Sequence, residues 1–287
     1  MNASSLTPIK RVEEHVAAEL RNKVPEIVDT VSKWDVHYAL LSRMKRGLVL
    51  ELVEDRESAR RYYSGTREAY SIVTTYHLQE VNTSWYAFHE STGVVKHVGV
   101  MDGVPPTGNE LYVPTAILFP TWSDGIIGEI AWSRFDMAEI ARGNTPMKAP
   151  PPAPATYVAS LQLRNQRLHM RFLDAWKAGR VADMLSLIDD ECCSVVRTVE
   201  PDGDRRSRIV ARTKADHERY WGSPESLRPQ NVRVMNLVVT DWYVFAEYLF
   251  VLDLNGGRVE RDLAVLYPVT EDGKLVGQLA YGLDRPA

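Results

Sequence analysis

An α+β fold in two tandem copies, each a curved antiparallel sheet wrapped round helices, is what this sequence predicts. Three observations carry it. The order helix, helix, strand, helix, then a run of strands occurs twice. Each run closes on an apolar strand, an Asp-Gly turn and a last strand, at Asp124-Gly125 and again at Asp272-Gly273. A proline-rich stretch, NTPMKAPPPAP from Asn144 to Pro154, separates the copies. Proline blocks helix and ladder alike and favours extended chain.

The expected domains are 1–143, with the catalytic pocket, a linker at 144–156, and 157–287 as a supporting copy. Self-similarity of this kind marks tandem modules, here of about 130 residues each, and helices followed by a long antiparallel run make the class α+β.

Taken in order, a polar leader gives way to a helix over Val12 to Asn22. Pro25 sits at a helix start, where its missing N–H costs little. The following VPEIVDTVSKWDVHYALLSRM has helical spacing and reads as two segments jointed near Trp34-Asp35, a joint matched to Gly179 in the second copy. Leu48 to Val53 reads as a strand, Arg56 to Tyr70 as a helix, and Ser71–Val81, Ser84–His89 and Val94–Val100 as strands. Met137 to Arg142 reads as a short closing helix. In the second copy Ala159–Lys177 is an amphipathic helix with Leu163, Leu168, Phe172 and Trp176 along one stripe. Val181–Ile188 and Lys214–Trp221 are further helices. Cys192–Val199, Val232–Thr240, Trp242–Leu254, Arg258–Pro268 and Lys274–Leu283 are strands.

The hairpin from Tyr112 to Met137 is the stretch richest in chemistry. Asp-Gly between two alternating apolar arms is a strong hairpin signal. In a strand alternate residues share a face. Ile130, Trp132, Arg134 and Asp136 therefore form one side, and Glu129, Ala131, Ser133 and Phe135 the other. A face carrying Trp, Arg and Asp suits a cavity, and Thr115 and Phe119 on the partner arm are expected to line it. The matching positions of the second copy, Gln278, Ala280 and Gly282, are small or neutral, which places the chemistry in the first copy.

The chain has 287 residues, 45% hydrophobic and 25% charged, with a net charge of -4, an ordinary globular composition. Its pI of about 6.0 offers no basic surface for nucleic acid or an anionic membrane. No apolar run reaches the roughly 18 residues of a membrane span, and MNASSLTPIKRVEEH lacks the apolar core of a signal peptide. Cys192 and Cys193 are adjacent, which disfavours a disulfide between them and suits a reducing, cytoplasmic setting. Metal-ligand spacings, GxGxxG and the P-loop are missing, so the expectation is an enzyme without cofactor or metal.

The run from Gly103 to Gly143 carries Pro106-Thr107-Gly108, Asp124-Gly125 and Phe135-Asp136-Met137 in order. It resembles the end of a SnoaL-like module of the NTF2-like superfamily, the polyketide cyclase and ketosteroid isomerase branch. The second copy resembles it through its two opening helices and its Asp272-Gly273 ending. The resemblance implies tandem NTF2-like (cystatin-like) cones, each with a deep apolar pocket, and a homo-oligomer. In related branches a histidine at the place of His77 pairs with an aspartate near the end of the first helix, here Asp29 or Asp35. Such a pair fixes the imidazole tautomer and frees the other nitrogen for proton transfer.

Arg134 is then an oxyanion holder, with Asp136 beside it. Tyr38 is a donor to a carbonyl or phenol. Trp85, Trp132, Tyr112 and His89 are contacts for a flat, hydrophobic aromatic substrate. The function expected is cofactor-free acid–base catalysis by a lyase or isomerase in aromatic catabolism. Its most specific form is a diarylpropane lyase that removes water and formaldehyde from a lignin-derived diol to give a stilbene. The alternatives are a polyketide cyclase, dehydratase or ketosteroid-isomerase-like enzyme, and a non-catalytic ligand-binding or assembly module.

Overall fold

The computed structural model describes residues 6–44, 47–133, 137–143, 157–200, 206–223, 226, 229–254 and 257–286. The chain divides into two compact units, Met1–Thr156 and Tyr157–Ala287. The expected linker, 144–156, lies outside the described residues. Each unit has an α+β architecture: helices laid against the inner face of one bent sheet.

The first unit runs α1 (Pro8–Leu20), α2 (Val24–Asp29), β1 (Tyr38–Met44), β2 (Gly47–Val53), α3 (Arg56–Ala69), β3 (Tyr70–Asn82), β4 (Tyr86–His97), β5 (Glu110–Trp122), β6 (Gly125–Ile126), β7 (Ile130–Ser133) and α4 (Met137–Ala141). Its sheet has the order β2-β1-β7-β5-β4-β3, with β6 on β5. The second unit runs α5 (Ala159–Lys177), α6 (Val181–Leu187), β8 (Ser194–Val199), β9 (Arg206–Ala211), α7 (Lys214–Trp221), β10 (Gln230–Val239), β11 (Tyr243–Leu254), β12 (Gly257–Pro268) and β13 (Leu279–Pro286). Its order, β9-β8-β13-β12-β11-β10, is the same topology. In both sheets the strand after the opening helices pairs in parallel with the last strand.

Local chemistry sets several boundaries. Asp55 caps α3 by accepting from Ser58 N–H, and Thr213 caps α7 by accepting from Asp216 N–H; each cap is a reciprocal capping box. Asn22 after α1 and Gly179 after α5 both take the left-handed conformation, φ 54° and 65°, the usual helix stop. Those two residues are therefore the equivalent joints, and Trp34-Asp35 is not one. The second helical segment expected there is β1. YALLSRM is short and apolar, so periodicity alone does not separate helix from strand; its ladders to β2 and β7 decide it. β9 (Arg206–Ala211) is a strand that the sequence reading passes over.

The core of the first unit lies between α1, α2, α3 and the sheet, with Val12, Ile27, Val28, Tyr38, Tyr63, Phe119 and Ile126 in one buried cluster. The second unit packs more aromatic bulk in the same place: Phe172, Trp176, Trp221, Tyr248, Phe250 and Tyr267.

Candidate functional site

Two helices each deliver a pair of side chains four residues apart, the spacing of neighbours on one helix face. α1 presents His15 and Glu19, and α3 presents Tyr63 and Arg67. The chain entering β7 adds Glu129. The glycine before it is required: a Cβ at Gly128 would lie 2.1 Å from the His37 carbonyl oxygen. That close approach lets the Ala39 N–H donate to the Glu129 carbonyl at 2.9 Å, which fixes where the carboxyl group emerges.

His15 is fully buried. Its Nδ1 lies 2.6 Å from Thr30 Oγ1, whose own hydrogen goes to the Ile27 carbonyl at 2.6 Å. Thr30 therefore accepts, and Nδ1 carries the hydrogen. Nε2 faces Glu129 Oε1 at 3.3 Å and Tyr63 Oη at 3.1 Å. Tyr63 donates to the same carboxyl oxygen at 2.5 Å, and Tyr38 Oη stands 3.2 Å behind Tyr63 Oη. Arg67 donates to Glu19 at 3.1 Å. Its guanidinium lies over the rings of Tyr63 and Tyr70 at 5.9 and 6.0 Å.

Burial raises the Glu19 carboxyl above its ordinary 4.5, the charge of Glu129 raises it further, and His15 and Arg67 pull it back. Burial also holds Tyr38, Tyr62 and Tyr63 well above the ordinary phenol range and pushes Tyr70 up to about 12. These phenols are donors at neutral pH. The ligating atoms of His15, Glu19 and Glu129 lie within 4.8 Å of one another, a spacing that could hold a cation. Arg67 already supplies positive charge to Glu19, and His15 already faces Glu129. The set is therefore complete as a proton-sharing cluster.

Glu19, Tyr63, Arg67 and Glu129 form one wall of a cavity of about 400 Å³. Much of its remaining wall is apolar, including Leu40, Ile72, Val95, Met101 and Ile117. This is the size and lining of a small-molecule site.

Of the residues singled out in the sequence, His77, His89, Thr115 and Phe119 line this cavity. His89 is edge-on to His77 at 4.8 Å; burial, then the charge of His77, pushes it down to about 4. Tyr38 sits behind the wall, against Tyr63. Asp29 does not meet His77: it is exposed and faces Arg56 at 3.4 Å, because the end of α2 points it away from the sheet's inner face. Asp35 is buried outside the lining. Trp85 is buried edge-on to Tyr86 at 4.7 Å, and Tyr112 alternates with the cavity residue Val113; neither lines the cavity. Arg134 and Asp136 lie outside the described residues.

The expected face of the last strand is inverted. Glu129, Ala131 and Ser133 line the cavity, and Trp132 is buried on the opposite face. Alternation separates the two faces but does not say which turns inward; the correspondence between the units is a separate matter, and it turns on one residue. Val31 bridges Ile126, and its counterpart Ile188 bridges Leu275. The turn of the second unit is thus one residue longer, and counting from the two Asp-Gly pairs slips the register by one, which exchanges the faces. The true correspondence is written in the sequence as Gly128-Glu129-Ile130-Ala131 against Gly277-Gln278-Leu279-Ala280.

With the register corrected, the two units differ where it matters. Gln278 replaces Glu129 and accepts from Trp221 Nε1 at 3.0 Å, as Glu129 accepts from Tyr63. Counting back from Asn22 and Gly179, Phe172 stands for His15 and Trp176 for Glu19. Counting on from Trp85-Tyr86 and Trp242-Tyr243, Tyr248 and Phe250 stand for Ser91 and Gly93. Trp176 packs edge-on to Tyr248 and Phe250 at 5.6 and 5.0 Å. Aromatic rings thus fill in the second unit the space that the first leaves as a cavity. His15, Glu19, Tyr63, Arg67 and Glu129 were not found from the sequence; the i, i+4 pairs on α1 and α3 and the Gly-Glu against Gly-Gln match are the signals that mark them.

No family model matches this chain, and no curated protein matches it. Solved structures do. One from Rhodopseudomonas palustris, provisionally described as an isomerase, is 11% identical, with a TM-score of 0.39, covering 46% of this chain and 96% of its own. The epoxide hydrolase/cyclase-like enzyme SalBIII of salinomycin pyran-ring formation is 12% identical, with a TM-score of 0.34, covering 43% and 92%. A protein with a ketosteroid isomerase-like fold from Catenulispora acidiphila, in complex with trimethylamine, is 15% identical, with a TM-score of 0.36, covering 51% and 100%. Each is a likeness of about half of this chain to a whole neighbour.

Proposed function

We propose that the first unit is a cofactor-independent acid–base enzyme that moves a proton on a small, uncharged, largely apolar molecule, in an isomerisation or ring closure. The observation that carries this is the pair Glu19 and Glu129. Two carboxyls share one buried wall, and their surroundings push them apart in role. Burial and its neighbour's charge keep Glu19 protonated to higher pH, so it is the acid. Glu129 accepts from Tyr63 and faces His15, so it is the base, with the imidazole positioned to share the proton that it takes. A substrate carrying negative charge is disfavoured beside two carboxyls; an enolate formed in place is stabilised by protonated Glu19 as donor.

The diarylpropane reading, drawn for a large aromatic substrate, used His77 with Asp29 or Asp35; Asp29 is exposed and faces Arg56, and Asp35 lies outside the cavity lining. The broader class of isomerase or cyclase needs only the carboxyl pair. A non-catalytic binding module would need neither carboxyl ordered against the other.

The test is a panel of neutral cyclic enones and terpenoid-sized epoxides incubated with the protein in D₂O. The expected result is deuterium uptake at carbon, or ring opening or closure, for compounds that also raise the melting temperature. Compounds that stabilise the protein and emerge unchanged across the panel would leave a binding module.

A further inference from the structure

The sheet registers place a row of small polar side chains across the cavity, well away from the carboxyl pair. His77 on β3 pairs with Ser91 on β4, and Ser91 pairs with Thr115 on β5. Ala116 pairs with Trp132, which sets Thr115 beside Ser133 on β7, and Ser133 pairs with Ser42 on β1. All five residues line the cavity. The row therefore crosses five neighbouring strands at one level, with four hydroxyls and an imidazole on the inner face.

The second unit has no such row. Its register equivalents are Val234, Tyr248, Leu263, Gly282 and Thr198. Tyr248 is the one phenol among them, and it is engaged by His169 and Tyr267 at 2.5 and 3.1 Å. Where the pocket is filled the row keeps two hydroxyls, Tyr248 and Thr198, both engaged by other side chains, Thr198 by Ser207 at 2.5 Å; where it is open the row carries four. Thr115 Oγ1 donates to the Val113 carbonyl at 3.4 Å, and a hydroxyl that donates still has lone pairs with which to accept from a ligand hydroxyl in the cavity.

The row has a defined distance from the chemistry. Glu129 and Ser133 are four residues apart along one strand, about 13 Å at roughly 3.3 Å per residue. Along the row His77 is exposed, Ser42, Thr115 and Ser133 are half-buried and Ser91 is buried; of the reacting wall, Tyr63 and Glu129 are buried and Glu19 is half-buried. The geometry points to a specificity belt: this site takes an elongated, uncharged ligand, oxygenated at both ends. The reacting end lies at Glu19 and Glu129, and a distal hydroxyl or carbonyl is read by Ser91, Thr115 and their neighbours. This inference rests on the proposed acid–base pocket for which end reacts, and on the sheet register alone for the belt.

Two rigid probes of the right span separate the cases: trans-4,4′-dihydroxystilbene, with an oxygen at each end, and trans-4-hydroxystilbene, with one. Their dissociation constants are measured by calorimetry on the whole protein, on Ser91→Ala and on Thr115→Val. The dihydroxy probe is expected to bind wild type about fivefold more tightly, the worth of one buried hydrogen bond. One or both variants should erase that margin and leave the affinity for the monohydroxy probe unchanged. Glu129→Gln should keep the margin, because it acts at the other end. Equal binding of the two probes by wild type, no binding of either, or variants that weaken both probes alike would overturn the belt. Because no turnover is read, the belt can stand if the acid–base reading falls, and fall if that reading stands.

Discussion

Glu129 and Gln278 hold one position in the two units: each follows a glycine pressed against a backbone carbonyl, that of His37 or Cys193. Each also accepts from an aromatic side chain, Tyr63 on α3 or Trp221 on α7. One is ionisable and borders a cavity, and the other is neutral in a filled core. Together with Phe172 for His15 and Trp176 for Glu19, that difference sets the unit with a cavity apart from the unit with a filled core.

Arg67 tunes the acid. It lowers the Glu19 carboxyl, which burial and Glu129 raise. An acid acts while protonated, so activity should fall as pH rises through the Glu19 value. Removing the guanidinium in Arg67→Met should raise that value and move the alkaline limb of the kcat/KM profile to higher pH. A limb that stays in place or moves down would remove Glu19 from the role of acid.

Acid stability should depend on two buried imidazoles. Burial, with His77's charge adding at His89, pushes His89 and His169 down to about 4. The unfolded chain takes up these protons near 6.5, before the folded one does. The stability each contributes is therefore complete above pH 6.5 and is lost as pH falls from 6.5 toward 4. Urea unfolding of His89→Leu and His169→Leu across that window should show a shallower decline for each than for wild type. Parallel declines would place the proton uptake elsewhere.

Gly128→Ala should be among the most damaging single-methyl changes in the chain. The new Cβ would lie 2.1 Å from the His37 carbonyl oxygen, which as backbone cannot rotate aside, and 2.8 Å from Tyr38 Cδ2. The expected cost is about 3 kcal/mol or more, in the range of strained or overpacked sites. Gly65→Ala, on α3 with nothing within 4 Å, is the control and should stabilise by several tenths of a kcal/mol up to about 1. Similar melting temperatures for the two variants would contradict the close-approach argument.

Much of the architecture was legible in the sequence, because it depends on patterns that survive divergence: two Asp-Gly hairpins, two opening helices and long alternating strands. The site was half legible. Thr115 and Phe119 line the cavity because alternation along β5 is unbroken; His77 came from the family resemblance, since β3 shifts register at His77 itself. Trp132 was assigned to the wrong face because alternation separates two faces without saying which turns inward, and Trp, Arg and Asp on one of them suggested a cavity. Tyr38 to Met44 was read as helix because a short apolar run has no period of its own. His15 and Glu129 come from α1 and the entrance to β7, far apart in sequence, and only the closed fold brings Nε2 to 3.3 Å from the carboxyl group.

The Glu129→Gln variant tests the central claim most directly, measured as the rate of proton transfer on whichever neutral cyclic substrate the wild type converts, with binding followed in parallel. Gln278 shows that this fold accommodates an amide at the equivalent position, accepting from an aromatic donor. The variant is therefore expected to fold, to melt within a few degrees of wild type and to bind the substrate with similar affinity. Its turnover should fall about 10²–10⁴-fold, the usual contribution of a positioned acid–base group. A folded Glu129→Gln protein that turns the substrate over within about threefold of wild type would contradict the assignment of Glu129 as the base.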